Sequence, residues 1–216
     1  MIKIKICGIK TLKDAIAAID AGANYLGFNF HPPSPRSIGL RECREITRTL
    51  DLDYPQIFLV GVFVNMPIKQ IGDILHHGYL DYAQLHGDES PKDVNHFGNR
   101  SFKAFRGIPD EKTLKKFEID SYPNRTPAFL LDASVKGVYG GSGVTADWDG
   151  AAELAKKYPL LLAGGLTPEN VAEAVSRVKP WGVDVASGVE SIVGQKDAGK
   201  MVAFVRAVRQ TIDDGR

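Results

Sequence analysis

The chain has 216 residues, of which 44% are hydrophobic and 25% are charged, and this composition excludes an intrinsically disordered protein. A formal net charge of +1 offers no general electrostatic attraction for nucleic acid or for an anionic membrane surface. Two cysteines, Cys7 and Cys43, are too few for a disulfide framework, so a reducing cytoplasm fits best. No apolar run approaches the roughly 18 residues of a membrane helix, and we expect neither membrane insertion nor export.

Apolar segments alternate with helical segments along the chain. The range Ile2–Cys7 alternates isoleucine with other residues and predicts a first strand that stops at Gly8. The next segment begins at Thr11, a candidate N-cap, and ends at Gly22, which predicts a first helix. Seven further segments are predicted as strands: YLGFNF, IFLVGVFV, DYAQLH, SFKAF, AFLLDA, LLLAGG and WGVDVASG.

This alternation predicts about eight βα units, the number that closes a parallel (β/α)8 barrel, also called a TIM barrel. A doubly wound open sheet uses the same units, but it usually has five or six strands and a glycine-rich first βα turn. Here that turn reads CGIK. Because no linker-like stretch interrupts the pattern, we predict a single α/β catalytic domain over residues 1–216.

Two candidate catalytic residues close predicted strands, Cys7 the first and Asp132 the sixth. The active site of such a barrel lies at the carboxyl ends of its strands. A thiol and a carboxyl that face one another across the barrel mouth form a plausible base–acid pair. The alternatives are a small buried side chain for the cysteine and a loop-capping role for the aspartate.

Glycine turns follow the last two predicted strands, with Gly164 and Gly165 after the seventh and Ser187 and Gly188 after the eighth. Backbone N–H groups in such turns bind phosphate, and barrels commonly hold phosphate in these two loops. A tight turn alone would explain Gly165 but not the second turn. A further stretch, residues 137–144 (GVYGGSGV), has the composition of a mobile lid or of a loop without ligand contacts.

Arg36 ends the HPPSPR loop after the second predicted strand. Its guanidinium could hold a substrate carboxylate through two parallel hydrogen bonds, although an ordinary surface arginine is the alternative. The roles of His31, Gln84, His86 and Arg106, which also lie near strand ends, stay open at this point.

Strand parity adds a prediction about the barrel interior. If Cys7 points into the barrel mouth, Lys5 points inward one layer below it and the isoleucines of that strand face the helices. Asp184 faces inward by the same count, and barrel closure makes its strand a neighbour of the first. An interior ammonium needs a partner, so we predict a Lys5–Asp184 ion pair. Lys5 would then modestly lower the pKa of Cys7.

The ordered set of motifs along the chain is that of a known family. Between Ile2 and Lys200, the sequence contains KICGI, the SPR loop, GVFVN, QLHG, LLDA, GGSG followed by DW, LAGGL, DVASGVE and KD. Each motif is weak alone, but in this order they cover nearly the whole chain. The sequence therefore resembles phosphoribosylanthranilate isomerase of tryptophan biosynthesis.

The resemblance implies an Amadori rearrangement of N-(5'-phosphoribosyl)anthranilate, an aldose–ketose isomerisation that uses neither a metal nor an organic cofactor. In the family, the cysteine of KICG is the general base that removes the C2 proton, and it matches Cys7. The aspartate of LLD is the general acid that protonates the ring oxygen, and it matches Asp132. The arginine of the SPR loop, Arg36, would hold the anthranilate carboxylate.

The resemblance also assigns the phosphate to the glycine turns described above and places Gly141 and Ser142 of the GGSG loop among the substrate-binding residues. The family often has a lysine directly after GG[ST]G, where this chain has Val144. Most phosphate contacts are therefore expected from the turns after the seventh and eighth strands. The expected partner is one phosphorylated small molecule, bound by a monomer or a homodimer.

Two related enzymes and a non-catalytic barrel are alternative interpretations. The ribose-phosphate isomerase of histidine biosynthesis is expected to place an aspartate where this chain has Cys7. Indole-glycerol-phosphate synthase would need a lysine acid and a glutamate base at strand ends, which this sequence does not supply in that arrangement. A phosphate-binding barrel without activity would keep the glycine turns, but the presence of both Cys7 and Asp132 argues against it.

Overall fold

The computed structural model describes residues 1–119, 127–132 and 147–213. Its central feature is a closed barrel of eight parallel strands, in which each strand pairs with the next along the chain and the eighth pairs with the first. The barrel strands are β1 (Lys3–Cys7), β2 (Tyr25–Asn29), β3 (Phe58–Phe63), β4 (Tyr82–Leu85), β5 (Ser101–Arg106), β6 (Phe129–Asp132), β7 (Leu160–Ala163) and β8 (Gly182–Val185). The predicted (β/α)8 barrel is confirmed.

Helices connect successive strands of the barrel, and the last one follows β8. They are α1 (Leu12–Ala21), α2 (Leu40–Asp53), α3 (Ile68–His77), α4 (Pro91–Asn95), α5 (Glu111–Lys116), α6 (Trp148–Ala155), α7 (Val171–Val178) and α8 (Ala198–Asp213). Among the described helices, none is both long enough and apolar enough to cross a membrane.

The first βα unit has the local signals that the sequence predicts. The Thr11 hydroxyl accepts a hydrogen bond from the Asp14 backbone N–H at 3.1 Å and so caps α1. Gly22 ends the helix with φ 106°, a left-handed conformation that is strained for residues with a Cβ atom. These caps fix where α1 begins and ends. The start of α1 in turn sets the length of the short loop that follows Cys7.

Alternate residues of the strands divide between two apolar layers. Ile4 and Ile6 are fully buried between β1 and the surrounding helices, as strand parity predicts. A second apolar cluster fills much of the barrel interior: Tyr25, Val60, Phe102, Ala104, Leu130, Leu161 and Ala163. Because side chains occupy the interior, a ligand can enter only at an end of the barrel.

The structure differs from the prediction after β7 and β8. Both strands end before their glycine turns, because Gly164 and Gly165 adopt φ of 101° and 65° and Ser187–Val189 forms a 3₁₀ turn. An antiparallel hairpin, β9 (Glu190–Ile192) and β10 (Gln195–Lys196), then precedes α8 and was not predicted. This hairpin brings additional charged side chains to the carboxyl end of the barrel.

Candidate active site

A cavity of about 220 Å³ lies at the carboxyl ends of the strands. Several residues singled out in the sequence line it together: Cys7, Arg36, Gln84, His86, Asp132, Gly164, Gly165, Asp184 and Ser187. Gly188 follows Ser187 but is not among the lining residues, and neither are His31 and Arg106. Gly141, Ser142 and the rest of the 137–144 stretch lie outside the described residues.

The predicted ion pair lies beneath the thiol in the barrel interior. Lys5 pairs with Asp184 in the β1–β8 register, and its Nζ donates to Asp184 Oδ1 at 2.8 Å. Lys5 is completely buried. Burial acts to lower the pKa of Lys5, but the negative charges of Asp184 and of an ionised Cys7 outweigh burial and raise it. The prediction of a Lys5–Asp184 pair is therefore confirmed.

The predicted direction of the Cys7 pKa is wrong. Burial raises the pKa of the thiol above its usual value, and Asp184 raises it further. Lys5 and Lys196 do favour the thiolate, as expected for nearby positive charges, but they do not offset the burial of the sulfur. The free thiol is thus protonated at neutral pH, and its thiolate is a stronger base than that of an exposed cysteine.

Gly27 on the neighbouring strand β2 makes room for both side chains. A Cβ atom at this position would lie 2.7 Å from Cys7 Sγ and 3.1 Å from Lys5 Nζ. Real Cβ atoms do not approach a sulfur so closely, so any larger residue would displace the thiol. The absence of a side chain at Gly27 therefore sets the position of Cys7 in the cavity.

Arg36 lies in the cavity wall, but its guanidinium also makes a contact that the sequence did not predict. Its Nε donates to Glu190 Oε1 at 2.7 Å and its Nη2 donates to Glu190 Oε2 at 2.8 Å. The aliphatic stem of Arg36 packs over Gly8, where a Cβ atom would lie 2.9 Å from Cδ. Glu190 belongs to the DVASGVE motif, which marked the segment without indicating this role.

Two polar residues of β4 and its following loop, Gln84 and His86, line the same cavity as Cys7 and Asp132. Gln84 Nε2 and His86 Nδ1 lie 3.0 Å apart, and Gln84 Oε1 has no hydrogen-bond partner among the described residues. Burial lowers the pKa of His86, although Asp132 and Asp184 oppose this effect. His86 is therefore a neutral imidazole at pH 7 and adds no positive charge to the site.

The two glycine turns pack against one another at the edge of the cavity. The Asn170 side chain donates to the Gly165 carbonyl at 3.0 Å and fixes the first turn. In the second turn, a Cβ atom at Gly188 would collide with the backbone carbonyl of Leu166. Because the turns touch, their backbone groups can face one anionic ligand together. No cluster of three metal-ligating side chains occurs in the described part of the chain.

Comparisons with known proteins identify the family of this chain. The family model for N-(5'-phosphoribosyl)anthranilate isomerase matches residues 4–207. The isomerase of that name from Pelobacter propionicus is 46% identical over 211 residues, which cover 98% of this chain and 97% of the relative. The crystal structure of phosphoribosyl anthranilate isomerase from Thermotoga maritima is 36% identical with a TM-score of 0.84, covering 97% of this chain and all of that one.

A further solved structure, of a phosphoribosyl anthranilate isomerase in complex with reduced 1-(o-carboxyphenylamino)-1-deoxyribulose 5-phosphate, is 33% identical with a TM-score of 0.79. It covers 97% of this chain and all of the other. Family model, sequence relatives and structural neighbours thus agree over almost the full length. The chain belongs to the phosphoribosylanthranilate isomerase family of tryptophan biosynthesis.

Proposed function

We propose that this enzyme isomerises N-(5'-phosphoribosyl)anthranilate to 1-(2-carboxyphenylamino)-1-deoxyribulose 5-phosphate with Cys7 as the general base and Asp132 as the general acid. The observation that carries this assignment is that one cavity, of about 220 Å³, contains both side chains and the Gly164–Gly165 turn. An acid and a base in one small cavity can act on neighbouring atoms of one sugar.

Two proton transfers, each assigned to a side chain, lead to an enolamine that then tautomerises, with no change in overall oxidation state. Asp132 gives a proton to the furanose ring oxygen as the C1–O bond breaks, and the nitrogen lone pair forms an iminium at C1. The Cys7 thiolate then removes the C2 proton, and the electron pair of the C–H bond neutralises the iminium. The resulting enolamine becomes the ketone when C1 gains a proton and the C2 hydroxyl loses one.

The two anionic groups of the substrate are assigned to different parts of the cavity lining. The phosphate would accept hydrogen bonds from backbone N–H groups of the turns at Gly164–Gly165 and Ser187–Gly188. Arg36 would hold the anthranilate carboxylate, and Gly141–Ser142 would add contacts to the phosphate. The complex of a relative with a reduced product analogue that carries both anions supports this class of ligand.

Residues 1–216 are inferred to form one catalytic domain, because barrel strands extend from Lys3 to Val185. We place it in the cytoplasm, where reducing conditions keep the thiols of Cys7 and Cys43 free, as they are in the structure. A monomer and a homodimer are both compatible with a site built within one chain. One solved relative from Thermotoga maritima is described as a dimer converted to monomers.

The direct test of the activity is to add the purified protein to freshly generated phosphoribosylanthranilate and to follow the loss of its fluorescence. We expect a rapid decrease that depends on protein concentration. An excess of chelator should leave the rate unchanged, because both proton transfers are assigned to side chains. A rate equal to the spontaneous decay of the substrate would contradict the assignment.

Replacing Arg36 by methionine is expected to weaken binding of a carboxylate-bearing product analogue about tenfold or more, because hydrogen bonds between charged groups are lost. Binding of ribose 5-phosphate, which has no aromatic carboxylate, should change little. Inhibition constants for the two compounds provide the measurement. Equal losses for both would show that Arg36 does not recognise the carboxylate.

A further inference from the structure

Glu190, on the unpredicted hairpin, is the centre of a buried charge cluster beside the cavity. Its side chain is only 4% exposed, yet its two oxygens accept hydrogen bonds from four donors. Two come from Arg36, one from the Gly194 backbone N–H at 3.1 Å and one from Lys196 Nζ at 2.9 Å. Burial acts to raise the pKa of Glu190, but the hydrogen bonds from Arg36 and Lys196 lower it, so the group is an anion.

The contact with Glu190 fixes which side of the Arg36 guanidinium is free. A guanidinium has five N–H donors in a plane, and Glu190 occupies the side formed by Nε and Nη2. The opposite edge, formed by Nη1 and the second hydrogen of Nη2, makes no hydrogen bond to a described residue. Two parallel donors on that edge match the geometry of a second carboxylate. Arg36 can therefore bind Glu190 and a ligand carboxylate at the same time.

Lys196 keeps this cluster suitable for an anionic ligand. Arg36 and Glu190 alone would have no net charge, whereas the buried Lys196 ammonium restores one positive charge. Its Nζ also donates to the Ala186 carbonyl at 2.9 Å, directly before the Ser187 turn. The cluster thus connects the loop after β2 to the end of β8, on the two sides of the β1 end that carries Cys7.

We propose that Glu190 is a positioning residue that orients Arg36 toward the carboxylate of the substrate, with Lys196 compensating the charge of Glu190. This inference rests on the proposed role of Arg36 in carboxylate binding. It assigns a function to the last glutamate of DVASGVE and to the lysine of the KD motif. Neither side chain lines the cavity, so each acts through Arg36 and not by touching the substrate.

The test is a double-mutant cycle between Glu190→Gln and Arg36→Met. The ligands are the reduced 1-(o-carboxyphenylamino)-1-deoxyribulose 5-phosphate and the same compound without its ring carboxyl group. Glu190→Gln should weaken binding of the first compound about tenfold and leave binding of the second within about twofold. In the Arg36→Met background it should have no further effect. Kinetically, KM for the substrate should rise while kcat changes little.

Lys196→Met is the second variant, because it removes the compensating charge and leaves the Glu190 side chain itself unchanged. It should also weaken binding of the carboxylate-bearing compound more than that of its counterpart. Glu89→Gln is the matched control, since Glu89 forms a comparably buried pair with Lys103 at 3.0 Å, outside the cavity lining. The control should lower the melting temperature without changing the ratio of the two dissociation constants.

The outcomes separate this inference from the proposed function. If Arg36→Met selectively weakens binding of the carboxylate-bearing compound and Glu190→Gln does not, the positioning role of Glu190 is wrong while the role of Arg36 stands. If Glu190→Gln weakens binding of both compounds equally, Glu190 is only structural. The same conclusion follows if its effect on binding adds fully to the effect of Arg36→Met. If Arg36→Met itself has no selective effect, the proposed carboxylate site is wrong.

Discussion

Replacing Cys7 by alanine is expected to lower kcat by about 10²–10⁴-fold, the usual contribution of a positioned general base, while the barrel remains folded. Backbone pairing with β2 and β8 holds β1 in the barrel, and Lys5 keeps its ion pair with Asp184 when the thiol is removed. Asp132→Ala should have an effect of similar size, because ring opening then lacks its acid. The fluorescence assay at saturating substrate provides kcat for both variants.

Cys43 provides a matched control for the loss of a thiol. It lies fully buried in α2, and burial raises its pKa to about 12, so it supplies no thiolate near neutral pH. Cys43→Ala should lose some stability from the small cavity but keep its kcat. A Cys7→Ala enzyme with an unchanged circular dichroism spectrum and nearly normal kcat would show that another group removes the C2 proton.

The barrel could be predicted because its signals are local and repeated. Each strand is a short apolar run, and caps such as Thr11 and Gly22 mark the limits of the first helix. Closure of the barrel then determines that β1 and β8 are neighbours, so parity alone places Lys5 opposite Asp184. The strand ends in turn place Cys7 and Asp132 in one cavity.

The contact between Arg36 and Glu190 could not be predicted in the same way. The two residues are 154 positions apart, and Glu190 is on a hairpin whose short strands have no apolar alternation. The predicted direction of the Cys7 pKa shift was wrong for a different reason. Its direction depends on whether burial or the charge of Lys5 is larger, and a sequence indicates which charges are near but not how completely the sulfur is shielded from water.

Lys5→Met is expected to raise the pKa of Cys7 further and to destabilise the protein by about 3–5 kcal/mol, the usual cost of breaking a buried pair. It removes the positive charge that favours the Cys7 thiolate most strongly and leaves Asp184 buried without its partner. Because kcat/KM rises with pH as the thiolate forms, the midpoint of its acidic limb should move to higher pH. Lys5, Asp184, Lys196 and Arg36 act on the charge of Cys7, and Asp132 and the neutral His86 line the same cavity.

Thiolate absorbance provides an independent measurement of the same shift. In a Cys43→Ser background Cys7 is the only thiol, and subtracting the titration of the Cys7→Ala, Cys43→Ser protein removes the absorbance of the seven tyrosines. Lys5→Met should move the remaining titration to higher pH. Lys103→Met is the matched control, because it breaks another buried lysine–carboxylate pair that does not act on Cys7. Both variants should lose stability, but only Lys5→Met should shift the titration. If that titration stays in place or moves to lower pH, Lys5 does not favour the thiolate, even if the enzyme remains an isomerase that uses Cys7.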